Sequence, residues 1–326
     1  MTEEKLLKIP KIELHCHLDG SLSKEFIQKC QKRDVEQDEL SVSKNCKSLE
    51  EYLKKFDLPG ACLRDEEGLE GAGYDILETM SKERVCYAEI RFAPLFSVTE
   101  SMGTKQVIEA LLRGLEKGKQ EFDIDYNVIT CAMRLHSPEA NLEMLQEARE
   151  FLGQGVCAAD LAGAEAQYPM TDFMELFANT KKLGMPFTIH AGECGNIKNI
   201  TDAVDAGARR IGHGIAMRGN KEVQKRLQQA GIGVEMCPFS NLQTKAVAGI
   251  EEYPIQEFLS AGLQVSVNTD NRTVSSTSLA KELELIQRTC QVTDEQVMQL
   301  MHNAADTAFA SDDAKQRMYQ RLAEYR

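Results

Sequence analysis

Short apolar segments alternate with longer amphipathic segments along nearly the whole chain. The short segments have the length and β-branched content of strands, and the longer ones repeat apolar residues with the period of a helix. Repeated strand and helix units of this kind are typical of a parallel sheet. The eight predicted strands span residues 11–18, 85–94, 126–134, 156–162, 186–190, 210–213, 233–237 and 264–269.

Eight such units within residues 11–269 match the size of a (β/α)₈ TIM-type barrel, which takes about 250 residues. A doubly wound open sheet is the competing architecture, but it usually carries a glycine-rich phosphate-binding turn, and the chain has neither GxGxxG nor GxxxxGK[ST]. No linker, repeat or low-complexity segment divides the sequence. We therefore predict an α/β protein, a (β/α)₈ barrel that forms a single domain over residues 1–326.

Two helical segments are expected in addition to the plain repeat. Extra helices follow the last strand, and a helical insertion separates the first two strands. Within the insertion, Tyr52, Leu53 and Phe56 share one helical face. Connections this long inside a compact domain are often lids. The stripe is equally consistent with simple packing on the barrel, so both interpretations stay open.

Composition narrows the range of partners and compartments. The chain has 326 residues, with 38 Lys and Arg against 51 Asp and Glu, and a formal net charge of −13. This balance disfavours nucleic acid and anionic membranes as partners. No stretch approaches the ~20 apolar residues of a membrane span, and the amino-terminal sequence has no signal-peptide core. The ten cysteines form no CxxC pair, so we expect reduced thiols and a cytoplasmic protein.

Polar side chains cluster at the carboxyl ends of the predicted strands, where barrel enzymes build their sites. His15 and His17 alternate with apolar residues, so both point to the same side of the first strand, and two imidazoles spaced in this way chelate one metal ion well. Later strand ends supply His190, Glu193, His213 and Asp270. Imidazole and carboxylate ligands suit zinc, and also iron, cobalt or manganese. The pattern predicts a catalytic metal site.

A buried ion pair is also predicted on the second strand. Glu89 and Arg91 are two residues apart, so they share one face of the strand. A charged group inside a barrel is costly to bury without a partner. We therefore expect the two side chains to pair with each other.

The motifs HCHLDGSL, DLAGAE, HAGE, IGHG, CPFSN and SVNTDN, in this order and at these spacings, resemble the adenosine deaminase family of metal-dependent purine-nucleoside deaminases. The resemblance extends from Ile12 to about Asn303. It implies a (β/α)₈ barrel that converts adenosine and 2′-deoxyadenosine to the inosine nucleosides and ammonia, by attack of metal-activated hydroxide on purine C6. It also implies one zinc ion held by His15, His17, His190 and Asp270.

The resemblance further implies roles for individual residues. Glu193 would protonate purine N1, while His213 and Asp270 would orient and deprotonate the attacking water. The implied substrate-binding residues are His17, Asp19, Gly163 and Asn271. Asp19 would receive the ribose 5′-hydroxyl and repel a 5′-phosphate. The stripe of Tyr52, Leu53 and Phe56 resembles the family's apolar gate over the substrate.

One departure from the family pattern leaves the substrate open. Asn271 stands where the family commonly has a second aspartate that binds purine N7, although an Asn amide can also donate to this acceptor. The alternatives are deaminases of adenine, of an N6-substituted purine or of another aminated heterocycle. A non-catalytic barrel that binds a purine or a protein is a remote alternative, because every metal, acid and base candidate is retained. The expected partner is a small purine nucleoside, and the oligomeric state is not predicted.

Overall fold

Eight parallel strands alternate with helices in the computed structural model, which describes residues 1–42, 52 and 54–325. The strands are Lys11–His17 (β1), Val85–Phe92 (β2), Asp125–Met133 (β3), Val156–Ala162 (β4), Thr188–Ala191 (β5), Arg210–His213 (β6), Gly233–Met236 (β7) and Gln264–Val267 (β8). Each lies within two residues of its predicted bounds at either end. The strand pattern of the sequence is thus confirmed.

Helices fill the connections between the strands and extend the chain at both ends. Their bounds are Glu3–Lys8 (α1), Lys24–Gln31 (α2), Gln37–Leu40 (α3), Asp57–Ala61 (α4), Glu66–Ser81 (α5), Thr104–Glu121 (α6), Pro138–Ala148 (α7), Met174–Lys182 (α8), Ile197–Ala206 (α9), Lys221–Ala230 (α10), Pro238–Gln243 (α11), Ile255–Ser260 (α12), Leu279–Cys290 (α13), Asp294–Thr307 (α14) and Asp312–Glu324 (α15). Helices α2 to α5 form the expected insertion between β1 and β2, and α13 to α15 follow β8. Within the described residues, no helix is both long and apolar enough to cross a membrane.

The strands form two four-stranded parallel sheets, ordered β1-β2-β3-β4 and β5-β6-β7-β8. Single bridges join the sheets at two places. Ala159 of β4 pairs with Phe187, which precedes β5, and the Ala159 N–H donates to the Pro186 carbonyl at 2.9 Å. Cys16 of β1 pairs with Asp270, which follows β8. The first and last strands therefore meet at a residue that was predicted for the site.

Both faces of the sheets are covered, as is usual for parallel strands. All seven residues of β4 are buried, and in β1 only His17 is partly accessible. The apolar residues on the outer face of β1, Ile12, Leu14 and Cys16, pack in the main core. The alternate residues of β1 are polar, and their side chains point to the opposite face of the strand, where the site lies.

Close packing of α5, the last helix of the insertion, against α6 depends on glycine. A Cβ atom on Gly114 of α6 would lie 1.9 Å from the Glu70 carbonyl oxygen, and one on Gly73 of α5 would lie 2.7 Å from the Leu111 carbonyl oxygen. Neither backbone oxygen is able to move aside as the end of a flexible side chain does. These two glycines let α5 and α6 approach each other with their backbones nearly in contact.

Gly114→Ala is expected to destabilise the protein because its methyl group would force the two helices apart. Overpacking of this kind costs about 1–3 kcal/mol, more than the ~1 kcal/mol that Ala gains over Gly in a helix. Denaturant unfolding measures the change. The matched control is Gly60→Ala in α4, where a Cβ atom has no neighbour within 4 Å. Unchanged or increased stability of Gly114→Ala would contradict the packing described.

Candidate metal centre and active site

Three imidazoles and one carboxylate converge at the carboxyl ends of the strands. His15 and His17 come from β1, His190 comes from β5, and Asp270 follows β8. One ligand atom from each of the four residues lies within 4.8 Å of the others. His17 Nε2 is 3.1 Å from His190 Nε2 and 3.4 Å from Asp270 Oδ1. The structure thus brings together the four residues predicted as metal ligands.

Two further carboxylates orient this cluster. His15 Nδ1 lies 2.8 Å from Glu235 Oε2, and His190 Nδ1 lies 2.9 Å from Asp160 Oδ2. A carboxylate at Nδ1 favours the proton on that nitrogen, which leaves the Nε2 lone pair free. His15 Nε2 is buried and has no hydrogen-bond partner among the described residues. A buried nitrogen without a partner in the described part of the chain, beside two further imidazole nitrogens and a carboxylate, fits a divalent cation, so the residues present are suited to a metal ion.

Burial and neighbouring charges also set suitable ionisation states. Burial lowers the pKa of His17 well below its usual value. Burial opposes ionisation of Asp270, but His15 and His17 hold the pKa of its carboxyl group well below the usual range. Metal ligands have to be neutral imidazoles and ionised carboxylates. His17 and Asp270 are in these states at neutral pH, whereas Asp160 raises the pKa of His190 against the effect of burial, so a cation that binds there would displace a proton.

Glu193 and His213 lie beside the ligand cluster. The His213 ring is buried, burial lowers its pKa, and its centroid is 5.2 Å from that of His190. His213 Nε2 is 3.7 Å from Glu193 Oε2. Thr244 Oγ1 donates to Glu193 Oε1 at 3.0 Å, and Asn241 Nδ2 lies 3.0 Å from His213 Nδ1. A carboxyl group and a neutral imidazole therefore border one side of the cluster.

The backbone is strained at two of these positions. His213 has a φ of 65° and Asp270 a φ of 60°, which is the left-handed region that non-glycine residues rarely adopt. Such residues cost about 1–3 kcal/mol each and cluster at functional sites. The strain falls on a proposed base and a proposed ligand, which supports a functional site at these strand ends.

Three of the residues predicted to bind the substrate follow the carboxyl ends of β1, β4 and β8. Burial raises the pKa of Asp19, two residues beyond His17, to about 6. Gly163 follows β4 with a φ of 107°, which requires glycine, and is exposed. Asn271 is buried next to Asp270, and its Nδ2 donates to the Tyr52 hydroxyl at 3.1 Å.

The apolar stripe of the insertion reaches this site through Tyr52. Tyr52 is buried in a small cluster with Val42 and Val274, and its ring centroid lies 5.8 Å from that of Phe56. Leu53, the third residue of the predicted stripe, lies outside the described residues. Tyr52 and Phe56 pack against Val274 in the segment that follows β8, near Asn271. A lid movement of this segment stays a prediction.

The predicted ion pair between Glu89 and Arg91 is wrong. Arg91 instead donates to Asp160 at 2.9 Å and to Glu235 at 2.8 Å, whereas Arg210 donates to Glu89 at 2.5 Å. Residues two apart on one strand lie at different heights along it. Arg91 and Glu89 therefore take charged partners from other strands, and Glu89 also accepts from the Tyr87 hydroxyl of its own strand at 3.0 Å.

Sequence reasoning missed several polar residues that support the site. Asp160 and Glu235 were assigned no role, nor was Glu165, whose carboxylate accepts from the N–H groups of the turn after β5. A signal was present, because Asp160 and Glu235 are acidic residues inside short apolar strands. A buried carboxylate needs hydrogen-bond partners, so both residues were candidates for orienting the histidines.

Comparison with known proteins agrees with this geometry. The family model described as adenosine deaminase matches residues 10–325. An adenosine deaminase of Enterococcus faecalis is 39% identical, over 99% of this chain and 98% of its own length. The N6-methyl-AMP deaminase of Arabidopsis thaliana is 26% identical, with a TM-score of 0.86 over 99% of this chain and 98% of its own. An amidohydrolase from Burkholderia ambifaria with bound Zn is 22% identical, with a TM-score of 0.89 over 99% of this chain and 92% of its own.

Parallel strands whose carboxyl ends carry three imidazoles and a carboxylate are typical of metal-dependent hydrolases. The match to the family model narrows this class to one family, and the chain belongs to the adenosine deaminase family. It is therefore a hydrolase that acts on carbon–nitrogen bonds, in a family that depends on a metal ion.

Glu235→Gln is expected to destabilise the protein strongly. The Glu235 carboxylate contacts His15, Arg91 and Arg210 and is fully buried. Removing one partner of a buried charge network costs about 3–5 kcal/mol, which denaturant unfolding would measure. The matched control is Glu150→Gln, which removes an exposed partner of Lys105 and should leave stability unchanged. Equal stability of the two variants would contradict the proposed importance of the network.

Proposed function

We propose that the chain catalyses the hydrolytic deamination of adenosine and 2′-deoxyadenosine to the inosine nucleosides and ammonia. The observation that carries this proposal is the convergence of the four candidate ligands beside Glu193 and His213. Membership of the adenosine deaminase family supports it, as does the 39% identity to the Enterococcus faecalis enzyme. A neutral nucleoside also suits the acidic chain, whose formal net charge is −13.

We propose further that the eight strands close into one (β/α)₈ barrel and that residues 1–326 form a single domain. The two bridges between the sheets support closure, because they join β4 to the start of β5 and the end of β8 to β1. The cysteines of the described residues are free thiols, which supports the cytoplasmic location expected from the sequence.

His15, His17, His190 and Asp270 are the proposed ligands of one zinc ion. Imidazole and carboxylate donors suit zinc best, and a catalytic site leaves one position open. When bound, zinc would supply Lewis-acid chemistry, lowering the pKa of a water molecule from about 15.7 to near 7. Glu235 and Asp160 would hold the two imidazoles in the tautomer that ligation needs.

Glu193 is the proposed acid that gives a proton to purine N1. Attack at C6 pushes electrons toward the ring, and a proton on N1 makes that carbon more electrophilic. Thr244 donates to Glu193 Oε1, which leaves Oε2 as the oxygen able to carry the proton. His213, neutral because burial lowers its pKa, and Asp270 would orient the attacking water and accept its proton.

The remaining residues are proposed to select the nucleoside. The pKa of Asp19 is about 6, so its carboxylate is mostly ionised at neutral pH and would accept the ribose 5′-hydroxyl. The same charge would repel a 5′-phosphate. Gly163 would donate its N–H to purine N3, Asn271 an amide hydrogen to N7, and His17 would contact the substrate from the ligand cluster. Tyr52 and Phe56, with Leu53, would cover the bound ring.

The second candidate function is deamination of an N6-substituted purine, of adenine or of another aminated heterocycle. Asn271 supports this second candidate, because the residue departs from the family pattern at the proposed contact with purine N7. The similarity to the Arabidopsis thaliana N6-methyl-AMP deaminase also supports a substrate whose exocyclic amine carries a substituent. A purely binding function fits poorly with a complete set of ligand, acid and base candidates.

Glu193→Gln is expected to lower kcat for adenosine by ~10²–10⁴-fold, the usual contribution of general acid catalysis. Metal content should stay equal to that of the native protein, because Glu193 is not a proposed ligand. An ultraviolet assay and metal analysis measure the two quantities. Glu175→Gln, an exposed position in α8, is the matched control and should keep full activity. Native activity of Glu193→Gln would refute the acid assignment.

A substrate panel tests the nucleoside specificity. The metal-replete protein should turn over adenosine and 2′-deoxyadenosine much faster than adenine, AMP or N6-methyl-AMP. Asp19→Asn removes the carboxylate that repels phosphate, so the preference for adenosine over AMP should fall about tenfold or more, as kcat/KM reports. Turnover of adenine without turnover of adenosine would show that the Asp19 assignment and the proposed substrate are wrong.

A further inference from the structure

The turn after β5 is tied to a carboxylate from the preceding connection. Glu165 Oε1 accepts from the Gly192 N–H at 2.5 Å, and Glu165 Oε2 accepts from the Glu193 N–H at 2.9 Å and the Cys194 N–H at 3.2 Å. Asn199 Nδ2 also donates to Oε1, at 2.8 Å. The Glu165 side chain thus holds three successive backbone N–H groups, and the middle one belongs to Glu193.

The chemistry of this contact requires a carboxylate. Each Glu165 oxygen accepts two hydrogen bonds, so the four acceptor positions of the ionised group are filled by four donors. A glutamine of the same shape would turn an NH₂ group toward two of these donors. Glu165 is buried, so the turn has little access to water as a substitute partner.

Two side chains from outside the turn hold its backbone. Gly192, just before Glu193, has a φ of 81°, in the left-handed region that favours glycine. The metal-ligand side of the turn is held separately, because Arg134 donates to the His190 carbonyl at 2.7 Å. The backbone of the proposed ligand and that of the proposed acid therefore have different anchors, Arg134 and Glu165.

We propose that Glu165 is a positioning residue that acts through Glu193, an inference that rests on the proposed function. Glu165 fixes the backbone of Glu193, and Thr244 fixes one oxygen of its carboxyl group, so the second oxygen is held where purine N1 has to receive its proton. A displacement of about 1 Å in such a group lowers a rate by as much as ~10²-fold. Glu165 itself contacts neither the substrate nor the ligand cluster in this account.

The test is a double-mutant cycle between Glu165→Gln and Glu193→Gln, with kcat for adenosine as the readout. Glu165→Gln should lower kcat by ~10–10²-fold in the native background and by less than about threefold in the Glu193→Gln background. Metal content should be native in all variants. Hydrogen–deuterium exchange of the Gly192–Cys194 amides should be faster in Glu165→Gln, because one of the two acceptor oxygens is lost.

Asp202→Asn is the matched control. Asp202 is a buried carboxylate of α9 that accepts from Thr171 and Lys198 and does not contact the turn. It should keep both native activity and slow exchange of the turn amides. If Glu165→Gln does not fold, Glu165→Asp, which keeps the charge but is shorter, goes through the same cycle with the same expectations.

Three results would overturn the inference. They are an equal loss of kcat in both backgrounds, unchanged exchange of the turn amides, and loss of the metal ion on substitution of Glu165. The failure of the proposed function is a separate outcome, because in that case the native, metal-replete protein would not deaminate adenosine at all.

Discussion

The guanidinium group of Arg91 holds together the two carboxylates that orient the candidate metal ligands. It donates to Asp160 at 2.9 Å and to Glu235 at 2.8 Å, and these two groups face His190 and His15. All of these charges are buried, so none is stabilised by bulk water. Burial alone would raise the pKa of both carboxyl groups, but His190 and Arg91 lower the pKa of Asp160, and Arg91 and Arg210 lower that of Glu235. Arg91 therefore links the carboxylate partners of His15 and His190, and Arg210 gives Glu235 a second cation.

Backbone hydrogen bonds between the end of β8 and β1 also link the fold to the site. The Asp270 N–H donates to the His15 carbonyl, and the His17 N–H donates to the Asp270 carbonyl. The backbone pairing that joins the last strand to the first therefore also sets the distances among three candidate ligands. Asp270 adopts a left-handed φ in order to do this, and the surrounding hydrogen bonds offset its strain.

The strands and the convergence of the site were predictable because both follow from local rules. Alternation on β1 separates His15 and His17 from the apolar residues, and strand ends of a parallel sheet meet at one edge. The partners of buried charges were not predictable in this way. Arg91 pairs with residues of other strands rather than with Glu89, and alternation along one strand does not reveal which residues of distant strands lie opposite it. The role of Glu165 was not predictable either, because its hydrogen-bond donors include backbone N–H groups, and no pattern of side chains reveals these.

In the proposed mechanism, three imidazoles and one carboxylate hold a single catalytic metal ion. Metal analysis of the purified native protein, combined with adenosine turnover before and after chelation, tests it most directly. We expect one zinc ion per chain, loss of activity when the ion is removed, and recovery of activity in proportion to the zinc restored. Full turnover of adenosine by the metal-free protein would contradict the account.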